Sequence, residues 1–374
     1  MKVLQVLPEL NSGGVEEVTL NLAAFLCREG HQSLVLSNGG QLVPRLEASG
    51  SRHFTLPVHR KSPLSLLAIG RIRKLILTEQ PDIIHLRSRV PAWLTYLAWK
   101  SIPRSQRPRL VSTVHGLYST NFYSAIMTKG ERVLCVSQAV KDYVLTHYPK
   151  TPAERLQVIY EGVAEDRYFP EFQVSEQWLK SWYEQFPKTN DRILLILPGR
   201  ITRLKGHADF LHIISRLREN HPKIHGLIVG GAHPRKEAYL QEIKALTSEL
   251  KLDDHITFTG SRTDLREILS LSDLSFSLSN QPESFGLTVL EALSLSTPVI
   301  GYNRGGVAEI LEKLFPHGAL EISTESESSR IERLVQKAST ILDKPTAIQN
   351  NECFQSKKVH AQTVNCYQEL RHDS

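Results

Sequence analysis

The sequence contains few cysteines, the residues that stabilise many small domains through disulfides or zinc sites. Its 374 residues include only four cysteines, and none forms a C-x-x-C pair: Cys27, Cys135, Cys353 and Cys366. Neither a disulfide framework nor a structural zinc site is therefore predicted. No apolar run approaches the roughly 20 residues of a membrane span, and Pro8 and Glu9 cut the first apolar run too early for a signal peptide. We expect a cytoplasmic protein.

Signatures of nucleic-acid and dinucleotide binding are missing as well. No RNP-type aromatic strand, helix-turn-helix pattern or zinc finger accompanies the basic residues, so no nucleic-acid partner is expected. G-x-G-x-x-G is absent too. Gly13 and Gly14 lie between a predicted strand and helix, where missing side chains allow a ligand to approach the backbone. Such a pair is also ordinary turn chemistry, so both interpretations stay open.

The chain has an ordinary globular composition with an uneven charge. Hydrophobic residues make up 41% and charged residues 22%. The chain is longer than a domain with one hydrophobic core usually is, which predicts two domains. Residues 1–180 contain 22 Lys and Arg against 15 Asp and Glu, whereas the rest of the chain contains 23 against 24. The first half therefore carries the net positive charge.

Part of this charge lies in residues 64–77. A helical stripe of apolar residues is approximated there beside three cations: Leu64, Leu67, Ile72, Leu75 and Ile76, with Arg71, Arg73 and Lys74. One interpretation is a solvated helix packed on a sheet. The other is a contact with an anionic membrane surface. The residues alone do not choose between them.

Short apolar strands alternate with helical segments along both halves of the chain. The two series open with "KVLQVLPEL" and "DRILLILPGR" and continue through strands such as "PDIIHL" and "IHGLIVGG". This alternation predicts an α/β fold with two doubly wound parallel sheets and a ligand crevice between them. The polar and aromatic segment 165–190 suits a connection between the two domains.

Two cations follow the strand that opens the second series. "LPGRITRLKGH" places Arg200 and Lys205 at the carboxyl end of that strand, where open α/β sheets bind ligands. Arg offers a planar donor fork and Lys a point charge, and together they suit a diphosphate. A solvated surface pair would look the same, so the interpretation depends on neighbouring motifs.

The neighbouring motif is "PESFGLTVLEAL", with two glutamates eight positions apart. Phe285, Gly286 and Leu287 are predicted to begin a helix whose free N–H groups and dipole attract an anion. Glu283 can accept hydrogen bonds from vicinal hydroxyls. Glu291 lies in an apolar run, where a carboxylate without a partner is costly, and a ribose diol is a suitable partner. Either glutamate alone would be interpreted as a cap or surface residue, whereas the combination favours a ligand site.

These motifs, in this order, resemble those of the retaining glycosyltransferases of family 4, which have the two-domain GT-B fold. The matching segments are "GGVEEVTLNLAAFLCREGH", "PDIIHLRS", "VSTVHG", "LCVSQAVKD", "PGRITRLKGH", "FTGSRTDLREILSLSDLSFSLS" and "PESFGLTVLEALSLSTPVIGYNRGGVAEIL". They cover most of residues 1–311. The resemblance implies a hexosyltransferase that moves a sugar from a nucleotide-diphosphate sugar to an acceptor hydroxyl, with retention at the anomeric carbon.

The resemblance also implies roles for particular residues. Glu283 would contact the transferred sugar, Glu291 the ribose, and His115 in "VHG" matches the family's active-site histidine. Arg200 and Lys205 would bind the diphosphate. The donor-binding set is completed by Gly13, Gly14, Ser261, Arg262, Phe285, Gly286, Leu287 and Thr288, of which the pair Ser261-Arg262 falls where such enzymes hold the base through backbone groups.

No metal or other cofactor is expected. In the implied transition state negative charge builds on the departing diphosphate, and fixed cations with a helix start can stabilise that charge. The D-x-D element of metal-dependent sugar transferases is absent, and Asp253-Asp254 is predicted as a turn.

The family also guides the domain assignment. We predict domains at 1–188 and 189–354, with a helix over 355–374 that crosses back onto the first domain. One departure concerns the turn after the interdomain strand, where the family's Asn-Gly-Val-Asp appears as Glu161-Gly162-Val163-Ala164.

The acceptor is the least constrained part of this interpretation. The first domain of such enzymes binds the acceptor, and its positive charge suits an anionic glycan or lipid-linked acceptor, as in lipopolysaccharide or other cell-envelope synthesis at the inner membrane face. Two other functions remain open. One is a sugar-nucleotide epimerase or hydrolase with a similar cleft, and the other is a non-catalytic protein that binds an anionic ligand.

Overall fold

A computed structural model of the protein describes residues 1–11, 13–60, 62–232, 237–322, 324, 326–344 and 346–372. The chain folds into two compact units, Met1–Gly162 with Ser356–Ser374, and Val163–Gln355. Each unit is a Rossmann-like α/β domain built on a parallel sheet. The predicted fold class is therefore confirmed for both units.

The boundary between the units lies at residues 162 and 163, which differs from the predicted 188 and 189. The segment 163–188 belongs to the second unit because its side chains bond there. For example, Trp178 Nε1 donates to Asp264 Oδ2 over 2.9 Å. Trp182 stacks on Trp178 with 5.3 Å between ring centroids and is 2% exposed. Trp182, one of the aromatic residues that suggested a connecting segment, is instead buried in the second unit.

Seven parallel strands form the sheet of the first unit, in the order β3-β2-β1-β4-β5-β6-β7. They are β1 (Lys2–Val6), β2 (Gln32–Ser37), β3 (Arg52–Thr55), β4 (Ile83–Leu86), β5 (Arg109–Val114), β6 (Arg132–Cys135) and β7 (Leu156–Val158). Val3, Leu4 and Val6 of the central β1 have no exposed surface, as expected for a parallel strand covered on both faces. The strand order reverses between β1 and β4, so the carboxyl ends of these strands form the topological switch point.

Five helices follow these strands: α1 (Gly14–Arg28), α2 (Val43–Ala48), α3 (Ala68–Glu79), α4 (Arg89–Lys100) and α5 (Gln138–His147). In α1, Leu22, Phe25 and Leu26 recur at helical spacing and are buried. Glu16 and Glu17 lie in its first turn, where negative charge suits the helix dipole. The sequence therefore folds this segment as an amphipathic helix packed on the sheet.

The basic stretch 64–77 is helical, but only part of the predicted apolar stripe is buried. A 3₁₀ helix, Pro63–Leu67, precedes α3. Ile72 and Ile76 are buried in α3, whereas Leu67 is 76% exposed. Leu67 lies in the 3₁₀ helix, five residues before Ile72, and at 3.6 residues per turn this spacing does not share the buried face of α3. The side chain of Leu64 lies outside what the structure describes.

The second unit contains six parallel strands in the order β10-β9-β8-β11-β12-β13. They are β8 (Ile193–Pro198), β9 (Ile224–Val229), β10 (Ile256–Gly260), β11 (Leu274–Ser277), β12 (Val299–Tyr302) and β13 (Ala319–Leu320). The order reverses between β8 and β11, which places the switch point of this sheet at their carboxyl ends.

Seven helices accompany this sheet: α6 (Glu176–Gln185), α7 (His207–Leu217), α8 (Glu237–Glu249), α9 (Leu265–Leu271), α10 (Leu287–Ser294), α11 (Gly305–Leu314) and α12 (Glu327–Asp343). The sequence also predicts a long helix near residues 236–251, and α8 lies in that stretch; residue 236 is outside the described part of the chain. Among the helices of the described residues, none has both the length and the apolar character needed to cross a bilayer.

The final helix, α13 (Ser356–His372), returns to the first unit. Val359, Val364, Tyr367 and Leu370 join the core formed by α1 and the centre of the first sheet. Tyr367 Oη lies 2.6 Å from Nδ1 of the buried His85. The last helix is thus part of the first core, although 193 residues of chain separate it from the rest of that unit.

Candidate active site

The turn after β8 brings Lys205 to the carboxyl edge of the second sheet. A 3₁₀ helix, Arg203–Lys205, follows the strand, and Gly206 precedes α7 with a φ of +73°. A Cβ at Gly206 would lie 2.3 Å from the carbonyl oxygen of Leu278, just after β11. Only glycine lets this turn lie so close to the end of β11. Lys205 therefore reaches the switch point between β8 and β11.

Glu283 contacts Lys205 at this edge. Lys205 Nζ donates to Glu283 Oε1 over 2.7 Å, and Ser279 Oγ donates to the same oxygen. The two side chains of the ion pair are 29% and 23% exposed. The fold thus joins two motifs that lie 78 residues apart in sequence. One cation and one carboxylate therefore lie together at this edge of the sheet.

The backbone around Glu283 is held by the start of α11. The carbonyl oxygen of Glu283 accepts a hydrogen bond from the N–H of Gly306 over 2.9 Å. Arg304 Nη2 donates to the carbonyl oxygen of Ser279 over 2.5 Å. These hydrogen bonds orient the loop between β11 and α10. The Glu283 carboxylate therefore lies on a segment whose backbone is held in place.

The helix after Glu283 begins at Leu287, two residues later than the predicted start at Phe285. Gly286 is its N-cap with a φ of +106°, and a Cβ there would lie 2.7 Å from Val307 Cγ2. Phe285 instead packs in the core and is 4% exposed. The N–H groups of Leu287 and Thr288 belong to the first turn, which lacks intrahelical acceptors and carries the positive end of the dipole.

Glu291 lies within α10 and has a protein partner. Tyr168 Oη donates to Glu291 Oε1 over 3.1 Å. Burial, followed by the charge of Glu291, raises the pKa of Tyr168, so the phenol stays protonated and remains a donor. The half-buried carboxylate that appeared costly in the sequence is therefore partly satisfied by a tyrosine 123 residues away.

The side chains of Arg262 and Arg200 have different environments. Arg262 donates twice to Asp264, over 2.7 and 2.9 Å, and once to Gln185 over 3.0 Å. The bond to Asp264 raises the pKa of Arg262. Its side chain is thus occupied, which leaves backbone groups at Ser261 and Arg262 for a ligand. Arg200 is exposed and makes no ion pair with the residues that the structure describes.

The first unit contains the remaining predicted site residues. Gly13 is the N-cap of α1 and Gly14 is its first residue; a Cβ at Gly13 would lie 2.3 Å from Glu16 Oε2, and a Cβ at Gly14 would meet no atom within 4 Å. His115 directly follows β5. Its Nδ1 lies 3.0 Å from Glu161 Oε1, and its Nε2 lies 3.5 Å from Nη1 of the buried Arg87.

The sequence interpretation missed several residues of these clusters. Arg87 follows β4, the strand beside β5, so the rule that neighbouring parallel strands end at one edge could have placed it near His115. In the sequence, Glu161 is marked only by its departure from the family's Asn-Gly-Val-Asp turn. No pattern in the sequence marked Ser279, Arg304 or Tyr168, because their contacts depend on how distant loops pack.

The fold is that of the GT-B glycosyltransferases. Two family models match the chain, "Glycosyltransferase Family 4" over residues 12–167 and "Glycosyl transferases group 1" over residues 180–352. The chain therefore belongs to family 4 of the glycosyltransferases and is an enzyme of that kind.

Relatives with described products or ligands support this assignment. The chain is 25% identical over 316 residues to N-acetyl-alpha-D-glucosaminyl L-malate synthase of Bacillus anthracis, covering 80% of this chain and 78% of that one. A glycosyltransferase structure from Rickettsia africae shares 27% identity with a TM-score of 0.83 and covers 100% and 99% of the two chains. Anabaena HepE, solved with UDP-glucose, has the same fold at 21% identity with a TM-score of 0.75, covering 99% and 100%.

Proposed function

We propose that the protein transfers a sugar from a nucleotide-diphosphate sugar to a hydroxyl of a cell-envelope glycan or lipid-linked acceptor, with retention at the anomeric carbon. The observation that carries the proposal is the 2.7 Å contact between Lys205 and Glu283 at the switch point of the second sheet. Nucleotide-sugar recognition in HepE, a protein of the same fold, supports the choice of donor class.

Lys205 and the first turn of α10 bind the diphosphate in this proposal. Negative charge grows on the diphosphate as its bond to the anomeric carbon breaks, and a fixed ammonium with free amides stabilises that charge without reorganising. Arg200, exposed on the same turn, adds a planar donor fork. These groups supply the positive charge, so the proposal includes neither a metal nor another cofactor.

Glu283 and Glu291 bind hydroxyls at the two ends of the donor. Glu283 exchanges its bond with Lys205 for bonds to the transferred sugar, which orients the anomeric carbon. Glu291 accepts from the ribose hydroxyls while Tyr168 holds one of its oxygens. The proposal also includes three residues of the first unit, His115 and the two glycines at the start of α1.

A peripheral membrane location fits an anionic or lipid-linked acceptor. Leu66 and Leu67 are 54% and 76% exposed, and the cations Arg71, Arg73 and Lys74 are exposed on the adjoining helix α3. Exposed leucines beside cations are typical of segments that lie on anionic lipid surfaces. We propose that this segment contacts the inner face of the membrane.

Alanine substitution of Lys205 tests the catalytic part of the proposal. Removing a fixed group that stabilises the departing diphosphate should lower kcat by about 10²- to 10³-fold. Glu283→Gln, which keeps the shape and removes the charge, should also lower kcat. Turnover is measured as nucleotide diphosphate released in the presence of acceptor.

Lys188→Ala is the matched control for Lys205→Ala. Lys188 forms an ion pair of the same length, 2.7 Å, with Asp254, but it precedes β8 and so lies at the amino end of the strand. This variant should keep full activity. Unaltered turnover in both Lys205→Ala and Glu283→Gln would contradict the proposal, and nucleotide release without acceptor would instead indicate a hydrolase or an epimerase.

A further inference from the structure

Three polar side chains are packed together at the carboxyl edge of the first sheet. Arg87 follows β4, His115 follows β5 and Glu161 follows β7. Arg87 is 3% exposed, and the side chains of His115 and Glu161 are 7% and 12% exposed. Charged groups so deeply placed are retained only when each has a partner, so their mutual contacts determine the chemistry that His115 can perform.

The partners of the imidazole determine where its proton lies. Nδ1 lies 3.0 Å from Glu161 Oε1, and a carboxylate oxygen can only accept. Nε2 lies 3.5 Å from Arg87 Nη1, and a guanidinium can only donate. These contacts are satisfied when the ring carries a proton on Nδ1 and a lone pair on Nε2. Gln5 Oε1 accepts from Arg87 Nε over 2.8 Å and keeps the guanidinium in place.

Glu161 is ionised in this environment. Burial is the largest influence on the pKa of Glu161 and raises it, but the hydrogen bond from His115, together with the nearby charge of Arg87, contributes to the opposing influences that lower the pKa below its usual value. The carboxylate in turn helps to offset the charge of Arg87, whose pKa is lowered mainly by burial. The nearby His85 is occupied by Tyr367 and Thr113, each 2.6 Å from a ring nitrogen.

We propose that Glu161 is a positioning residue that holds His115 in the Nδ1–H tautomer, so that Nε2 can exchange its 3.5 Å contact with Arg87 for a hydrogen bond from a sugar hydroxyl during transfer. Glu161 itself contacts no substrate in this role. The inference rests on the proposed function for the part that His115 plays in the reaction. The tautomer follows from the contacts within the first unit alone.

Nitrogen NMR of the whole protein with ¹⁵N-labelled histidine tests the tautomer without substrate. His115→Gln assigns the His115 signals, and the signals of His85 serve as an internal reference. The wild type should show a protonated Nδ1 and an unprotonated Nε2. Glu161→Gln should keep this tautomer because the amide oxygen still accepts, whereas Glu161→Leu should shift the proton toward Nε2.

Glu79→Leu is the matched control for Glu161→Leu. The Glu79 side chain is 13% exposed and bonds Arg52, so its replacement removes a similarly shielded carboxylate from the same unit. This variant should leave the His115 signals unchanged. A wild-type ring protonated on Nε2, or an Nδ1–H tautomer that persists in Glu161→Leu, would overturn the proposal. If Glu161→Leu does not fold, Glu161→Asn, which is shorter by one methylene, replaces it.

Kinetics separate this proposal from the broader one. Glu161→Leu should lower kcat by about 100-fold with little change in the KM for the donor, and Glu161→Gln should recover most of that loss. A shifted tautomer with unchanged kcat would refute the positioning role. The predicted tautomer in a protein without transferase activity would instead refute the proposed function and leave the placement of the proton standing.

Discussion

His360 of α13 is a buried histidine whose pKa is lowered in the folded protein. It is 6% exposed, its Nδ1 lies 3.2 Å from Ser356 Oγ, and its ring lies 5.3 Å from that of Phe25. Burial is the largest cause that lowers its pKa to about 4, with a smaller contribution from Arg87, and the attraction of Glu161 opposes them only in part. The folded protein therefore keeps this imidazole neutral under conditions in which an exposed one is charged.

This shift predicts that acid destabilises the first unit. An unfolded histidine has a pKa near 6.5, so below that pH the unfolded chain binds a proton that the folded chain rejects, and the free energy of unfolding falls as the pH drops toward 4. Between pH 7 and pH 5, His360 should account for a loss of about 2 kcal/mol. His360→Leu should remove this part of the pH dependence, as measured by urea unfolding at both pH values.

His147→Leu is the control for His360→Leu. His147 is exposed on α5, and its replacement should leave the difference between pH 7 and pH 5 unchanged. If His360→Leu loses as much stability on acidification as the wild type does, the assignment of this pH dependence to His360 is wrong.

At the scale of elements, the 3₁₀ helix Pro63–Leu67 and α3 divide their surface between apolar and basic groups. The 3₁₀ helix exposes Leu66 and Leu67, and α3 exposes its cations while Ile72 and Ile76 are buried. Leu66 and Leu67 lie six and five residues before Ile72, so at 3.6 residues per turn both fall outside the buried face of α3 even if the helix is extended toward its N-terminus. The exposed leucines therefore lie directly before the basic face.

This arrangement predicts binding to vesicles that contain anionic lipid. Each cation near such a surface contributes about 1 kcal/mol, so replacing Arg71, Arg73 and Lys74 with Gln should weaken binding by about 100-fold. Sedimentation with vesicles of increasing anionic content measures the effect. Vesicles of neutral lipid should bind the wild type and the variant equally weakly.

The matched variant replaces Lys180, Lys223 and Lys251 of the second unit with Gln. These lysines are exposed, and their loss changes the net charge by the same amount. If this variant loses vesicle binding to the same extent, the effect reflects the overall charge, and the proposed role of the 3₁₀ helix and α3 must be abandoned.

At the scale of the whole molecule, most residues of the proposed donor site and the first core lie in separate compact units. Lys205, Glu283 and Glu291 belong to the second unit, while α13 returns to the core of the first. A ligand stabilises only the unit whose folded form it binds. Sugar nucleotides should therefore stabilise the second unit directly, as measured by calorimetry of the full chain.

The expected size of this effect follows from mass action. At about 100 times its dissociation constant, a sugar nucleotide adds about 2.7 kcal/mol and should raise the unfolding temperature of the second unit by roughly 5–10 °C. Lys205→Ala should reduce the shift at the same ligand concentration, and Lys188→Ala should not. Absence of a shift with every member of a panel of sugar nucleotides would argue against the proposed donor class.

Much of the fold was predictable from the chain because it depends on local periodicity. Strands such as β8 are short apolar runs, helices such as α1 repeat their apolar residues at helical spacing, and their alternation specifies parallel sheets. Lys205 and Glu283 were predictable for a related reason. Residues that follow parallel strands gather at one edge of the sheet.

By itself, therefore, the sequence determined most of the elements, their order, the family and the two motifs of the candidate site. The tertiary structure alone decided that residues 163–188 join the second unit, that Tyr168 is the partner of Glu291, and that Glu161 and Arg87 hold His115 between them. These contacts link residues that are distant along the chain. Their geometry depends on the packing of loops and helices around each sheet, which no local spacing of residue types records.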